Sequence, residues 1–396
     1  MGLTNTPQAN RLHIALFGKR NSGKSSLLNA ITKQEVSMVS PIAGTTTDPV
    51  YKAMELHGIG PVVFLDTAGF DDEGYLGELR VEKTKDIIAK TDIALLLIQD
   101  HDLTMEKEWI TLLKEKQIPI LPIYNVKEGS EPDTELIAAI HNLVKEEPYI
   151  INALHEVDTD GIREQLIRLL PQNYQEVSIV GHLVKENDVV LLVMPQDIQA
   201  PKGRLILPQV QTIRDLLDHN CIVQSCTADK LEQALPALSK PPQLIITDSQ
   251  VFDMVYEKKP KESLLTSFSV LFAKYKGDIA YFIESASHIA KLTEKSKVLI
   301  AEACTHAPLS EDIGRVKIPA MLKRKVGQGI RIDMVSGTDF PKDLSGYDLI
   351  IHCAACMFNR KYVLSRVEQA KEAHVPMTNY GIIIAFLKKI LPYVVY

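Results

Sequence analysis

Short apolar runs alternate along this chain with longer stretches in which apolar residues recur every three or four positions. Leu12–Phe17, Val62–Leu65, Ile93–Ile98 and Ile118–Tyr124 are almost continuously apolar, the pattern of strands covered on both faces. Tyr51–Leu56 and Tyr149–Asn152 supply two more strands. A helix reaches to about Lys33, and another over Gly161–Leu170 closes the segment. Such alternation predicts a mostly parallel, doubly wound sheet. Pro171–Tyr174 is a plausible boundary. A second alternation begins near Ser178, with strands expected over Val189–Met194, Cys221–Val223 and Leu244–Thr247. Its helices are expected over Pro208–Asp218 and Asp229–Leu238. The charged, proline-bearing run Glu257–Glu262 reads as a linker. Strands over Val298–Ala301, Ile330–Met334 and Tyr347–Ile351 follow, with a helix from about Asn359. The expectation is an α/β chain of three units, residues 1–172, 173–262 and 263–396. The first is doubly wound, and the other two are smaller parallel α/β domains.

Gly18-Lys19-Arg20-Asn21-Ser22-Gly23-Lys24-Ser25 lies between a predicted strand and a predicted helix. In that context a glycine-rich loop cradles phosphate on backbone N–H groups and the helix N-terminus. Gly18, Ser22, Gly23 and Ser26 belong to this cradle. Lys24 would reach the β- and γ-phosphates, and the Ser25 hydroxyl would ligate Mg2+. Asp66-Thr67-Ala68-Gly69 ends a strand, so Asp66 would hold magnesium through water and Gly69 would sense the γ-phosphate. Gly44–Asp48 occupies a switch-loop position, with Thr46 as the magnesium-sensing hydroxyl. Asn125-Val126-Lys127-Glu128 stands where Asn-Lys-x-Asp would read guanine, and Asn152-Ala153-Leu154 where Ser-Ala-x would. Glu128 can accept hydrogen bonds from the base with one extra methylene, while Val126 lacks the lysine stem that covers it. Together these pieces predict a P-loop GTPase domain that binds GTP and GDP.

Composition narrows the rest. A net charge of −6 gives no reason to expect binding to nucleic acid. No apolar run has the roughly 18 to 20 residues needed to span a bilayer, and the N-terminal MGLTNTPQANR lacks the apolar core of a signal peptide. The expected location is the cytoplasm, where clustered cysteines stay reduced and serve as metal ligands or catalysts. Of five cysteines, Cys221 and Cys226 read as core residues of a buried strand. The other three lie just past two predicted strands, in Cys304-Thr305-His306 and His352-Cys353-Ala354-Ala355-Cys356. Ligands gather beyond the carboxyl ends of strands in an open α/β sheet. Two such strands side by side would bring three thiols and two imidazoles to one spot. Zinc on three Cys and one His, or a 4Fe–4S cubane on Cys304, Cys353 and Cys356, are both good chemical matches. His306 and His352 are each a candidate fourth ligand or a neighbour that orients the ligands.

The nucleotide motifs resemble those of the MnmE and Era-like GTPases. That resemblance implies that Asn21 binds a K+ ion in place of an arginine finger. Phe70 stands where Ras-like proteins place glutamine, so slow, potassium-stimulated hydrolysis is implied. Cys-x-His and His-Cys-x-x-Cys downstream of such a unit, together with Pro201–Gln211, resemble the HydF family of FeFe-hydrogenase maturation GTPases over essentially the whole chain. The resemblance implies a homodimer whose middle unit dimerises and whose last unit carries a 4Fe–4S cluster on Cys304, Cys353 and Cys356. It implies a scaffold that passes a diiron precursor to apo FeFe-hydrogenase, with two radical-SAM maturases as partners and no membrane. The other readings are a zinc-stabilised regulatory GTPase and a tRNA-modification GTPase.

Overall fold

The computed structural model describes residues 6–34, 50–67, 84, 86–153, 157–170, 178–195, 205–303 and 313–396. Thr46, Gly69, Phe70, Cys304 and His306 lie outside the described residues. The chain divides into two compact units, Met1–Gln175 and Glu176–Tyr396.

The first unit holds a six-stranded sheet of β1 (Leu12–Gly18), β2 (Val50–Leu56), β3 (Gly60–Asp66), β4 (Ile93–Ile98), β5 (Ile120–Asn125) and β6 (Tyr149–Ile151), in the order β2-β3-β1-β4-β5-β6. All pairs are parallel except β2 against β3. Every residue of β1 and β4 is buried, as their unbroken apolar runs require of central strands. Cores lie on both faces. One packs Leu27, Leu28 and Ile31 of the helix Lys24–Gln34 with Ile162 and Leu166 of Thr159–Leu169. The other packs Trp109, Ile110 and Leu113 with Leu136 and Ile140. The doubly wound expectation is met, with β2 as an antiparallel edge.

The second unit holds two four-stranded parallel sheets. One contains β7 (Val189–Val193), β8 (Ile222–Cys226), β9 (Leu244–Thr247) and β10 (Leu264–Ser267), in the order β10-β9-β7-β8. The other contains β11 (Lys297–Glu302), β12 (Arg331–Ser336), β13 (Leu349–His352) and β14 (Met377–Asn379), in the order β12-β11-β13-β14. β10 lies beyond the expected boundary at residue 262 and completes the earlier sheet against β9. Leu191, Ile245 and Leu265 share one core with Val298, Ile300 and Ile351, so the two sheets are built on common apolar ground.

Two local expectations are corrected. The strand near Cys221 is not buried: β8 has one strand neighbour, β7, and Ile222 is 48% exposed. Cys221 is itself buried, just before the strand, whereas Cys226 is half-buried. The helix expected over Asp229–Leu238 is a single turn, Leu231–Ala234, between 3-10 turns. Pro236 offers no N–H to continue it. Among the described residues no helix is long and apolar enough to cross a membrane.

Candidate functional site

β1 delivers the chain to Gly18, and the helix Lys24–Gln34 starts six residues later. Gly18 has φ +153, and a Cβ there would lie 2.6 Å from Leu97 O. Gly23 has φ +98, and its Cβ would strike the Asn125 amide. Both positions therefore demand glycine. Asn21 is exposed with φ +60, a left-handed conformation that asparagine tolerates. The buried Lys24 donates through Nζ to Gly18 O at 2.9 Å and Lys19 O at 2.8 Å, so its ammonium lies along the loop. Ser22 is buried, and Ser26 is half-buried in the first turn of the helix.

The end of β3 lies beside this loop. Ser25 Oγ donates to Asp66 Oδ2 at 2.7 Å, while among the described residues the buried Asp66 Oδ1 has no hydrogen-bond partner. Burial raises the Asp66 carboxyl, opposed by the Ser25 bond and the Lys24 charge. A hydroxyl and an orphaned carboxylate oxygen at one point suit a hard cation such as magnesium. Asn125, at the end of β5, ties the loop to the base-reading segments: its Nδ2 donates to Ser22 O at 2.9 Å, and its Oδ1 accepts from Ala153 N at 3.0 Å. Asn152 precedes Ala153 just beyond β6. Glu128 is exposed, and Val126 is buried in the core rather than laid open as a cover for a base. Sequence reasoning passed over Lys19, whose Nζ meets Asp100 Oδ1 at 3.0 Å and Glu106 Oε2 at 3.7 Å.

In the second unit β11 and β13 are parallel neighbours, with Ala301 opposite His352. Cys353 extends that pairing, its N–H donating to Ala301 O at 2.9 Å. Cys353 Sγ accepts from Ala303 N at 3.1 Å and Ala355 N at 3.3 Å. Ala303 directly precedes Cys304 in sequence. Ala355 has φ +51, and that left-handed turn aims its N–H at the sulfur. None of the four described cysteines is in a disulfide. Burial, then the neighbouring Cys356, pushes the Cys353 thiol up to about 12, opposed by the Ala303 and Ala355 N–H groups. A thiolate there needs a cation to hold it, which matches the chemistry of a metal ligand. Among the described residues no three His, Cys, Asp or Glu converge on one point; His352, Cys353 and Cys356 are the described part of the expected set.

Asn359 caps the helix Arg360–Glu372 with its side chain on Tyr362 N, at the start expected from the sequence. His352 is 1% exposed, with Nδ1 2.8 Å from Cys353 O and Nε2 2.9 Å from Arg366 Nη1. Burial and then Arg366 drive His352 down to about 3. The imidazole is therefore neutral, donating from Nδ1 to the carbonyl and accepting at Nε2. With both nitrogens engaged, the geometry favours the orienting role over ligation. Two cations nearby are absent from the sequence reading. Lys276, ending the helix Phe268–Lys276, donates to Ala355 O at 3.1 Å, Cys356 O at 3.3 Å and Phe358 O at 2.6 Å. Burial brings it down to about 8, with Cys356 and Cys353 pulling it back up. Arg366 lies 4.6 to 4.7 Å from the rings of Phe340, Phe358 and Tyr362.

Residues 179–277 match the family model of the hydrogen maturase F dimerization domain, and residues 280–396 that of the hydrogen maturase F tetramerization domain. Together these cover more than half of the chain. The chain belongs to the hydrogen maturase F family. Residues 13–126 match the 50S ribosome-binding GTPase model, so the family's two characteristic domains follow a P-loop GTPase domain here. Similar proteins include GTPase Der of Campylobacter jejuni, 35% identical over 31% of this chain and 28% of that one. The tRNA modification GTPase MnmE of Ralstonia nicotianae is 44% identical over 23% of this chain and 19% of that one. The chain thus spans about a quarter of the length of such relatives. A structure of Aquifex aeolicus Era bound to GDP.AlF4- aligns with 54% of this chain and 92% of that one, at 20% identity and a TM-score of 0.35. It adds no weight to the sequence matches.

Proposed function

We propose that this hydrogen maturase F protein is a GTP-hydrolysing scaffold that carries a 4Fe–4S cluster and hands a diiron precursor, its cargo, to apo FeFe-hydrogenase. The observation that carries the reading is the paired end of β11 and β13. There Cys353 Sγ receives two backbone N–H groups, one of them from the residue before Cys304. Cys304, Cys353 and Cys356 would hold the cluster, with His306 as candidate fourth ligand and His352 orienting the Cys353 carbonyl. When bound, a cubane on three thiolates offers one iron with an exchangeable position where cargo can be held. The three units expected from the sequence, with the second extended past residue 262 to take in β10, become a GTPase domain, a dimerisation domain and a cluster domain. The partners are two radical-SAM maturases and the apo-hydrogenase, in the cytoplasm, with the scaffold acting as a homodimer.

Hydrolysis of GTP to GDP and phosphate belongs to the first unit. Lys24 would leave the loop carbonyls of Gly18 and Lys19 for the β- and γ-phosphates. Ser25 and Asp66 would exchange their mutual hydrogen bond for Mg2+, with Thr46 as the magnesium-sensing hydroxyl and Gly69 sensing the γ-phosphate. Asn125 and Ala153 hold the base-reading segments against the loop, and Asn152 and Glu128 would complete guanine recognition. Asn21 would bind K+ and supply the positive charge that an arginine finger gives elsewhere. Turnover should accordingly fall about tenfold or more when potassium is replaced by sodium, measured as phosphate release. Equal rates in the two salts remove Asn21 from that role.

Delivery is tested by mixing the protein, loaded in the presence of both maturases, with apo-hydrogenase and measuring hydrogen evolution. Activation that depends on the loaded protein supports the reading. No gain over the unloaded protein overturns it.

A further inference from the structure

We propose that Lys276 and Arg366 are the counter-charges of the thiol site: two buried cations, held around the Cys353–Cys356 turn, that offset the negative charge of a cluster on the thiolates and make it easier to reduce. This rests on the cluster reading above. Lys276 is 1% exposed and Arg366 2%. Among the described residues neither has a carboxylate within 4 Å. A buried cation without an anion costs several kcal/mol, so an anion that belongs to the working protein is the simplest way to account for two of them in one place.

Their hydrogen bonds point the same way. Lys276 faces three carbonyl oxygens, of Ala355, Cys356 and Phe358, which use all three protons of an ammonium. The Ala355 peptide is thereby polarised along one line. Its carbonyl is held by Lys276, while its N–H points at Cys353 Sγ. Lys276 thus acts on the sulfur through a hydrogen-bonded peptide as well as by its own field. Arg366 reaches the same turn through His352. Its Nη1 donates to His352, whose Nδ1 donates to Cys353 O. Its Nη2 donates to Gly337 O at 2.6 Å, and among the described residues its Nε–H has no partner. Phe340, Phe358 and Tyr362 keep water away from this charge without neutralising it. A cubane held by three thiolates is an anion and gains one further negative charge on reduction. Net charge and hydrogen bonds to sulfur are among the levers that set its potential.

The test is a redox titration, followed by electron paramagnetic resonance, of the full-length protein reconstituted anaerobically with iron and sulfide. At the wild-type midpoint, Lys276→Gln and Arg366→Gln should each lower the ratio of reduced to oxidised cluster about tenfold. Lys276→Arg and Arg366→Lys, which keep the charge, should stay near wild type. If a glutamine variant folds by circular dichroism but loses its iron while its charge-keeping partner retains it, the proposal also stands. Loaded variants with the wild-type midpoint, or neutral and charge-keeping changes that behave alike, overturn it and leave the cluster reading intact. Wild-type protein that takes up zinc and builds no cubane overturns both.

Discussion

Lys24→Ala lowers GTP hydrolysis about a thousandfold or more while iron content and cluster spectrum stay at wild-type values. Lys24 is the buried cation of the phosphate loop, and its ammonium is held by the carbonyls of Gly18 and Lys19. That arrangement stores a positive charge next to where transferring phosphate would sit, and alanine removes it entirely. The fold should survive, because Gly18 and Gly23 shape the loop through their backbone conformation and Asn125 holds Ser22 O independently of Lys24. The substitution falls in the unit Met1–Gln175, and the described thiols lie in Glu176–Tyr396. Single-turnover phosphate release together with iron analysis of the same preparation checks both halves. Loss of iron alongside hydrolysis, with melting unchanged, contradicts the separation of the two chemistries.

Cys353→Ala has the reverse outcome: cubane lost, GTP hydrolysis kept. Cys353 Sγ is the shared acceptor for the N–H groups of Ala303 and Ala355, so the change also strips two donors of their partner. Each donor left unsatisfied costs about 1–3 kcal/mol, and the apo-protein should melt lower. Cys353→Ser separates ligation from folding. Its hydroxyl still accepts from both N–H groups, but oxygen is a poor ligand for a soft iron–sulfur core. The serine variant should melt near wild type and still lose most of its cluster signal. A serine variant with full cubane intensity would place the cluster elsewhere.

What the sequence made legible were features written in contiguous residues. The unbroken apolar runs of Leu12–Phe17 and Ile93–Ile98 became the buried centre of the first sheet. The spacing of Gly18, Gly23 and Lys24 became a loop whose two glycines occupy positions a side chain would block. The placement of the cysteine segments after two strands anticipated that β11 and β13 would be neighbours. Long-range features were hidden. Lys276 is 79 positions from Ala355, and nothing around it in the chain distinguishes it from a solvated lysine at a helix end. Arg366 sits one turn after Tyr362 in a polar helix, and its aromatic cage includes Phe340 from a distant loop. β10 falls past a charged, proline-bearing run that looks like a linker, yet it pairs with β9 because the sheet needs an edge there. β8 reads as buried from its apolar letters alone, and only strand order reveals it as an edge. Of the expected site residues, Lys24, Ser25 and Asp66 come together at one end of the first sheet, and Asn125 and Ala153 meet beside them. Cys353 and His352 meet at the end of β13.

The most direct measurement is made on wild-type protein reconstituted without oxygen, with metal and sulfide analysis followed by electron paramagnetic resonance of the reduced sample. The account predicts the iron and sulfide of one cubane per chain and a reduced 4Fe–4S signal that disappears in Cys353→Ser. One tightly bound zinc per chain, with no cubane signal, would contradict it.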